Sequence, residues 1–292
     1  MPGSLKLAAP TALEYFAALV ADDASLPLAE AAIVIAQDED ADLDSQAVLT
    51  QIDTLASRLR KRMPPDAAPV QRLRLLNTFF FRELGFAGNV NDFGDPRNSY
   101  LHEVLRTRRG IPITLAVLYI EFARHVGLRA SGVSFPGHFL VKVSMPLGEI
   151  VLDPFSGQTL SREDLEDRLA PYRRRAGVLP DDNAPLGLYL QAAPPRDVIA
   201  RMLRNLKDIH RRSGDRPRLA AVMSRMVTLL PQAWEERRDH ALVLAQLGRH
   251  GHALAELELY LEHCPQADDA ARMRQLAAAW HRLSAPTSSR LQ

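Results

Sequence analysis

The 292-residue chain has a single cysteine, Cys264, and this scarcity limits its chemistry. One thiol excludes an internal disulfide framework and any metal cluster built from cysteines. Long apolar runs are also missing, since no stretch reaches the roughly 18 consecutive apolar residues that a membrane-spanning helix needs. The opening stretch, MPGSLKLAAPTALEYF, has one lysine and no apolar core, so we expect no secretory signal there. These features favour a cytoplasmic protein.

The chain also has no excess of positive or negative charge. The 36 basic and 35 acidic residues give a formal net charge of +1, which offers no electrostatic basis for binding nucleic acid or an anionic membrane. We therefore expect neither as a partner. Hydrophobic residues make up 47% of the chain, enough to bury a core. The length fits about two domains of ~100–200 residues each.

The N-terminal part of the chain is expected to be helical. Apolar residues recur at helical spacing over 27–37, 44–62 and 69–84, and Thr11 with Glu14 has the spacing of a capping box before a helix over 11–20. The acidic run 38–42 lacks the spacing and distal glutamate of a calcium loop, so it is read as a solvated connection. A loop follows at 85–97, long enough to suspect a role beyond connection.

The stretch 98–157 holds the residue types that carry chemistry. An apolar helix is predicted over 113–126, and the segments 128–135, 139–144 and 149–152 read as strands of an antiparallel sheet. His138 falls in the strand region, and Asp153 ends the last strand. A helix start, then a histidine, then an aspartate is the order in which thiol acyl-transfer enzymes place nucleophile, base and orienting group. No cysteine lies near this stretch.

The segments RRGIPITLAVLYIEFARHVGL, GVSFPGHFLVKV and VLDPFSG together resemble the bacterial SirB-type family. The resemblance implies an α+β fold with a papain- or transglutaminase-like core, made of helices and a small antiparallel sheet, followed by an all-α tetratricopeptide domain. In active members of that superfamily a cysteine opens the central helix, a histidine lies on the next strand and an aspartate on the third. Carried over, His138 matches the histidine and Asp153 the aspartate, whereas the nucleophile position falls at about Pro112.

The nucleophile therefore has no match. Proline carries neither a nucleophilic side chain nor an N–H group. Thr114 is the nearest hydroxyl, but two residues along a helix rotate a side chain by about 200°, so we expect Thr114 to point away from His138 and to satisfy a free N–H of the first helical turn. Cys264 occupies the repeat position of Leu230, which marks it as a small apolar core residue.

The C-terminal part of the chain repeats. The tripeptide PQA at 231–233 recurs at 265–267, a shift of 34 residues, and each copy follows an amphipathic helix. A period of about 34 with a proline that ends a helix is the tetratricopeptide signature. We predict domains at 1–180, with its signature at 98–157, and at 196–284, followed by a disordered tail at 285–292.

Two other groups of residues are weighed as sites. His102, His125 and His138 do not share ligand spacing on a helix face, and His240, His250 and His252 are attributed to solvated faces of the repeats, so we expect no metal and no cofactor. Arg108 and Arg109 could bind a carboxylate or phosphate, but a solvated helix end is favoured.

The favoured function is non-catalytic: a transglutaminase-like protein that binds a protein or peptide partner through its helical repeats. The alternative is a peptidase, amidase or acyl transferase in which His138 is the base, Asp153 orients it, and Thr114 or a bound water attacks. A third reading is that the repeats only complete the fold of the core.

Overall fold

A computed structural model describes residues 10–175 and 184–284. The disordered tail predicted at 285–292 lies outside these residues. Contacts divide the chain into two compact units: residues 22–202 form one, and the N-terminal helix forms the other with the chain from Leu203 onward. The predicted domain limits at 180 and 196 stay a prediction about independent folding.

The fold is mainly helical, with two small sheets. The helices are α1 (Ala12–Leu19), α2 (Leu28–Val34), α3 (Ser45–Arg60), α4 (Pro69–Asn77), α5 (Leu101–Thr107), α6 (Pro112–His125), α7 (Arg162–Arg175), α8 (Leu186–Tyr189), α9 (Pro195–Ser213), α10 (Arg216–Leu229), α11 (Trp234–Gln246), α12 (His250–His263) and α13 (Ala270–Ser284). The strands are β1 (Ala87–Gly88), β2 (Arg109–Gly110), β3 (Ala130–Val133), β4 (Leu140–Met145), β5 (Gly148–Asp153) and β6 (Gln158–Leu160). This is the predicted α+β class with an all-α C-terminal part.

The larger sheet is an antiparallel meander in the order β3-β4-β5-β6. In its register Val141 lies opposite Leu152 on one side and opposite Gly132 on the other. The sequence predicts the first three strands, and β6 is an addition. The smaller sheet pairs two strands in parallel: β1, which lies inside the segment predicted to be a loop, and β2, which follows α5.

Helix α6 is the central element of the first unit. Its sequence has almost no polar face, and its side chains are buried nearly all round, as expected for a helix covered on every side. It packs on β3 and β4 on one side and on α2 and α3 on another. Phe122 and Tyr119 on α6 meet Phe80, whose ring centroid lies 5.5 and 5.3 Å from theirs in edge-to-face contacts. Gly127, at φ +72°, then ends the helix in the left-handed conformation.

The second unit stacks helices in sequence. Successive helices from α10 to α13 pack on each other, and α1 packs on α10. The predicted capping box of Thr11 and Glu14 begins α1. Cys264 caps the end of α12 as Leu230 caps the end of α10, and it packs on the repeat core as predicted. The expectation that His240 lies on a solvated face is wrong, because its side chain is buried against residues of α10 and α12.

Among residues 10–175 and 184–284, no helix combines the length and the apolar character that crossing a membrane requires. The acidic run 38–42 is exposed, as expected for a solvated connection.

Candidate functional site

The start of α6 lacks a nucleophile. Pro112 is the first residue of the helix and is buried, and the preceding Ile111 provides no side-chain cap. Proline is well suited to this position because its fixed φ matches the helix and its missing N–H is not needed there. The position that the sequence matches to the family's cysteine therefore carries a side chain that can neither attack nor give up a proton.

The hydroxyl of Thr114 is engaged elsewhere. Its side chain is fully buried, and Oγ1 lies 2.8 Å from the carbonyl oxygen of Asn98 and 3.0 Å from that of Ile111. A carbonyl oxygen only accepts, so Thr114 donates its hydrogen to these groups. Within the described chain no hydrogen bond joins Thr114 to His138. The expectation that Thr114 satisfies a free N–H of the first turn is wrong, because its hydroxyl donates to carbonyl oxygens instead.

His138 lies in the turn between β3 and β4 and not on a strand, which corrects the sequence-based placement. Its N–H donates to the carbonyl of Phe135 at 3.1 Å, and Gly137 before it has φ +70°, a conformation that glycine adopts without strain. A side chain at Gly137 would also collide with Tyr172, whose hydroxyl oxygen lies 1.5 Å from the position of a Cβ. The local sequence therefore demands glycine before the histidine.

Asp153 ends β5 and receives three donors. Oδ1 lies 2.9 Å from Nε2 of His138 and accepts the Phe155 N–H at 2.9 Å, and Oδ2 accepts from Nη1 of Arg168 at 3.1 Å. Burial acts to raise the pKa of Asp153. The hydrogen bond and the electrostatic attraction from His138, together with the donors from Phe155 and Arg168, outweigh burial and lower the pKa to about 2. Asp153 is therefore a carboxylate at neutral pH.

The charge of Asp153 fixes the tautomer of His138. A carboxylate only accepts hydrogen bonds, so the hydrogen must lie on Nε2 of the histidine. In the neutral ring Nδ1 then holds the lone pair and is the nitrogen that can take a proton from a substrate, a water or a nucleophile. The side chain of His138 is 26% exposed, against 5% for that of Asp153. The pair thus has the orientation of a base and its buried orienting group.

Helix α7 contributes two residues that the sequence does not single out. Arg168 and Tyr172 are four residues apart and so share one face of the helix. Arg168 reaches Asp153, and Tyr172 lies over Gly137, directly before His138. In the sequence, the one sign of these two roles is the spacing of four residues on the first helix after Asp153.

Two further residues hold the histidine segment. Arg201 donates to the backbone carbonyl of His138 at 2.9 Å and lies over the ring of Phe139, 5.3 Å from its centroid. The ring of Phe155 meets that of His138 edge to face, with centroids 6.5 Å apart. The turn that carries His138 is therefore fastened at its backbone and bordered by an aromatic ring.

The segment 85–97 borders the pair through that aromatic ring. Gly88 lies against Phe155, so that a Cβ there would stand 2.2 Å from the ring, and the Gly88 N–H donates to the Phe155 carbonyl at 2.9 Å. Phe93, 59% exposed, lies with its ring centroid 6.1 Å from that of Phe155. The segment therefore packs beside the candidate site rather than serving only as a connection.

The other residues weighed from the sequence lie elsewhere in the fold. Arg109 donates to the Gly85 carbonyl at 2.7 Å, and Arg108 lies 4.7 Å over the ring of Phe86, so both fasten the segment 85–97. Arg108 ends α5 as its C-cap and is half-buried, whereas Arg109 is exposed. His102 is half-buried beside Glu103, and its burial lowers its pKa.

Comparison with known proteins agrees with this architecture. A family model described as the transglutaminase-like superfamily matches residues 46–204, more than half of the chain, and one described as the tetratricopeptide repeat matches residues 206–278. Fold and site together define a transglutaminase-like protein with helical repeats. The chain belongs to the transglutaminase-like superfamily, among the bacterial UPF0162 proteins.

Its relatives come from several bacteria. A UPF0162 protein of Xylella fastidiosa strain Temecula1 is 38% identical over 254 residues, which cover 87% of this chain and 89% of that protein. A UPF0162 protein of Vibrio cholerae is 30% identical over 66% of this chain and 70% of its own. Protein SirB1 of Salmonella typhimurium is 24% identical over 82% of this chain and 87% of SirB1. A crystal structure of menin matches 92% of this chain and 69% of the menin chain, at 14% identity and a TM-score of 0.43.

Proposed function

We propose that this chain is a non-catalytic transglutaminase-like protein that acts by binding a protein or peptide partner through its helical repeats. The observation that carries the proposal is the start of α6. Pro112 offers no attacking atom, and the Thr114 hydroxyl is buried and donates to backbone carbonyls. A hydroxyl becomes a nucleophile only when an adjacent base takes its proton, and carbonyl oxygens are not such bases.

The repeat unit supplies the binding surface in this proposal. Tetratricopeptide repeats generally mediate protein interactions, and such solenoids bind partners on concave surfaces. A cavity of about 620 Å³ opens in this unit among α1, α10, α11 and α12. Its lining combines apolar and hydrogen-bonding side chains, among them Leu13, Ser224, Val227, His240, Leu244 and Ala255. That mixture suits an apolar side chain of a partner peptide together with its backbone polar groups.

A matched pair of variants on α12 tests the proposal. Ala255 is exposed and lines the cavity, so Ala255→Arg fills the cavity without entering the core. Leu259, 41% exposed on the same helix, is not among the lining residues, so Leu259→Arg adds the same charge elsewhere. Proteins cross-linked in cells to the wild type are identified by mass spectrometry and compared with those of both variants and of His138→Ala.

We expect the same specific partner with wild type, Leu259→Arg and His138→Ala, and its loss with Ala255→Arg. A partner retained by Ala255→Arg would place binding outside the repeat cavity and sink this part of the proposal. A partner lost only with His138→Ala would show that the core, not the repeats, makes the contact.

A second candidate function rests on the His138–Asp153 pair itself. The pair keeps the hydrogen bond, the tautomer and the exposure difference of a general base with its orienting group. With a bound water as the attacker, it would hydrolyse an ester or amide. The test is release of product from a panel of acyl esters and amides by wild type, His138→Gln and Thr114→Val. Turnover lost in His138→Gln but kept in Thr114→Val favours this candidate, and equal background with all three proteins excludes it for these substrates.

A further inference from the structure

Three metal-ligating side chains meet where α3 packs on α6. They are Asp53 on α3 and Glu121 and His125 on α6, and one ligand atom from each lies within 4.8 Å of those of the other two. Nε2 of His125 is 2.9 Å from Oδ1 of Asp53, and its Nδ1 is 3.5 Å from Oε1 of Glu121. Among the described residues no other group of three or more histidine, cysteine or acidic side chains converges in this way.

The sequence hides this group because its members are far apart. Glu121 and His125 are four residues apart on one face of α6, but Asp53 lies 72 residues before the histidine. His125 shares no ligand spacing with His102 or His138, so the histidines alone predict no metal. Packing of α3 against α6 brings the carboxylate of Asp53 to the imidazole ring.

The contacts of His125 require a proton or a metal ion between its ring and Asp53. Nδ1 lies 2.9 Å from the backbone carbonyl oxygen of Glu121, which only accepts, so Nδ1 carries a hydrogen. A neutral imidazole has a single N–H, so Nε2 then presents its lone pair to Oδ1 of Asp53, which also only accepts. Two acceptors 2.9 Å apart repel unless a proton or a metal ion lies between them.

We propose that Asp53, Glu121 and His125 bind a divalent transition-metal ion of the zinc type. One imidazole nitrogen and two carboxylates are a donor set that zinc accepts. The bond from Nδ1–H to a backbone carbonyl is the contact that orients metal-binding histidines and leaves Nε2 for the metal. The proposed metal site has no residue in common with the His138–Asp153 pair.

Both carboxylates must move to bind an ion at Nε2, since Oε1 of Glu121 lies beside Nδ1 at 3.5 Å and has to turn toward Nε2. Ligands about 2.1 Å from a tetrahedral zinc stand about 3.4 Å apart, so the Asp53 carboxylate must withdraw by about half an ångström. Its side chain is 63% exposed and free to do so. Arg124, which donates from Nε to Glu121 at 3.1 Å, is 69% exposed and can turn into solvent. Glu121 also lines a cavity of about 760 Å³.

The test is zinc binding by the untagged full chain after removal of metals with a chelator. Zinc is titrated against a colorimetric zinc chelator at about neutral pH, where the carboxylates are ionised. We expect one equivalent to bind to the wild type and the affinity to fall by about ten-fold or more in His125→Gln and in Asp53→Asn. The midpoint of thermal unfolding should rise with zinc in the wild type and not in these variants, because zinc stabilises only the form that binds it.

His263→Gln is the matched control. Nδ1 of His263 also lies 2.9 Å from the carbonyl oxygen four residues earlier, but no carboxylate group converges on its ring. This variant should bind zinc like the wild type. No binding by the wild type, or equal binding by His125→Gln and the wild type, would overturn the proposal. Binding that depends on His263 instead would overturn it as well.

Discussion

Asp153 is the residue whose charge the candidate site depends on. Its pKa is lowered from 3.8 to about 2, because the donors from His138, Phe155 and Arg168 outweigh the effect of burial. A carboxylate with a lowered pKa in the folded state stabilises the protein above its unfolded pKa and loses that contribution as the pH falls toward the folded value. At about 1.4 kcal/mol per pKa unit, the contribution at neutral pH is about 2 kcal/mol.

We therefore expect Asp153→Asn to lower the free energy of unfolding by about 2 kcal/mol at neutral pH, with the difference shrinking between about pH 4 and pH 2. Urea denaturation at several pH values measures it. Asp167→Asn, an exposed aspartate on α7, is the control and should stay within about 0.5 kcal/mol of the wild type. If the difference in the free energy of unfolding between Asp153→Asn and the wild type is the same at neutral and acidic pH, the stabilisation does not come from the lowered pKa of Asp153.

The residues of the site differ in how far the sequence predicts them. The pairing of His138 with Asp153 follows from order along the chain, because a turn before one strand and the end of its antiparallel neighbour lie at the same edge of the sheet. The roles of Arg168 and Tyr172 depend on how α7 is rotated against that sheet. Leu165, Leu169 and Tyr172 give α7 a narrow apolar stripe that predicts its buried face, but this stripe does not show which group the neighbouring Arg168 reaches.

At the scale of elements, the start of α6 is held by the Thr114 hydroxyl. We expect Thr114→Val to lower the free energy of unfolding by about 1 to 2 kcal/mol, because it removes a buried donor to the Asn98 and Ile111 carbonyls. Thr107→Val is the control: Thr107 is exposed, and its hydroxyl donates to the Glu103 carbonyl of its own helix at 2.8 Å. Urea denaturation compares the two, and equal effects would contradict the anchoring role of Thr114.

Long elements could be predicted and short ones could not. The spacing of Val48, Ile52, Leu55 and Leu59 predicts the buried face of α3, and these residues are buried. Strands of two residues, such as β1 and β2, are too short to show a periodicity in the sequence. Their pairing arises only when α5 and α6 bring the two segments together. The π-helical stretch Thr78–Glu83 is equally invisible, since its apolar residues also fit an α-helix.

At the scale of the whole molecule, residues 184–202 belong with the first unit, although they follow the predicted domain limit at 180. Leu186 is buried in one core with Val133 and Phe135. The Ala193 N–H donates to the Gly132 carbonyl at 2.8 Å and so extends the outer edge of the sheet.

These contacts predict where the chain can be cut. A fragment of residues 22–202 should unfold cooperatively, whereas one of residues 22–180 should not, because it leaves Val133 and Phe135 partly uncovered and removes the Arg201 bond to the His138 carbonyl. Each buried apolar side chain contributes about 1.5–3 kcal/mol, and losing several approaches the whole stability of a domain, about 5–15 kcal/mol. Thermal unfolding followed by circular dichroism distinguishes the two fragments. Equal cooperative transitions would mean that residues 184–202 only rest on a core complete without them, in agreement with the domain limit predicted from the sequence.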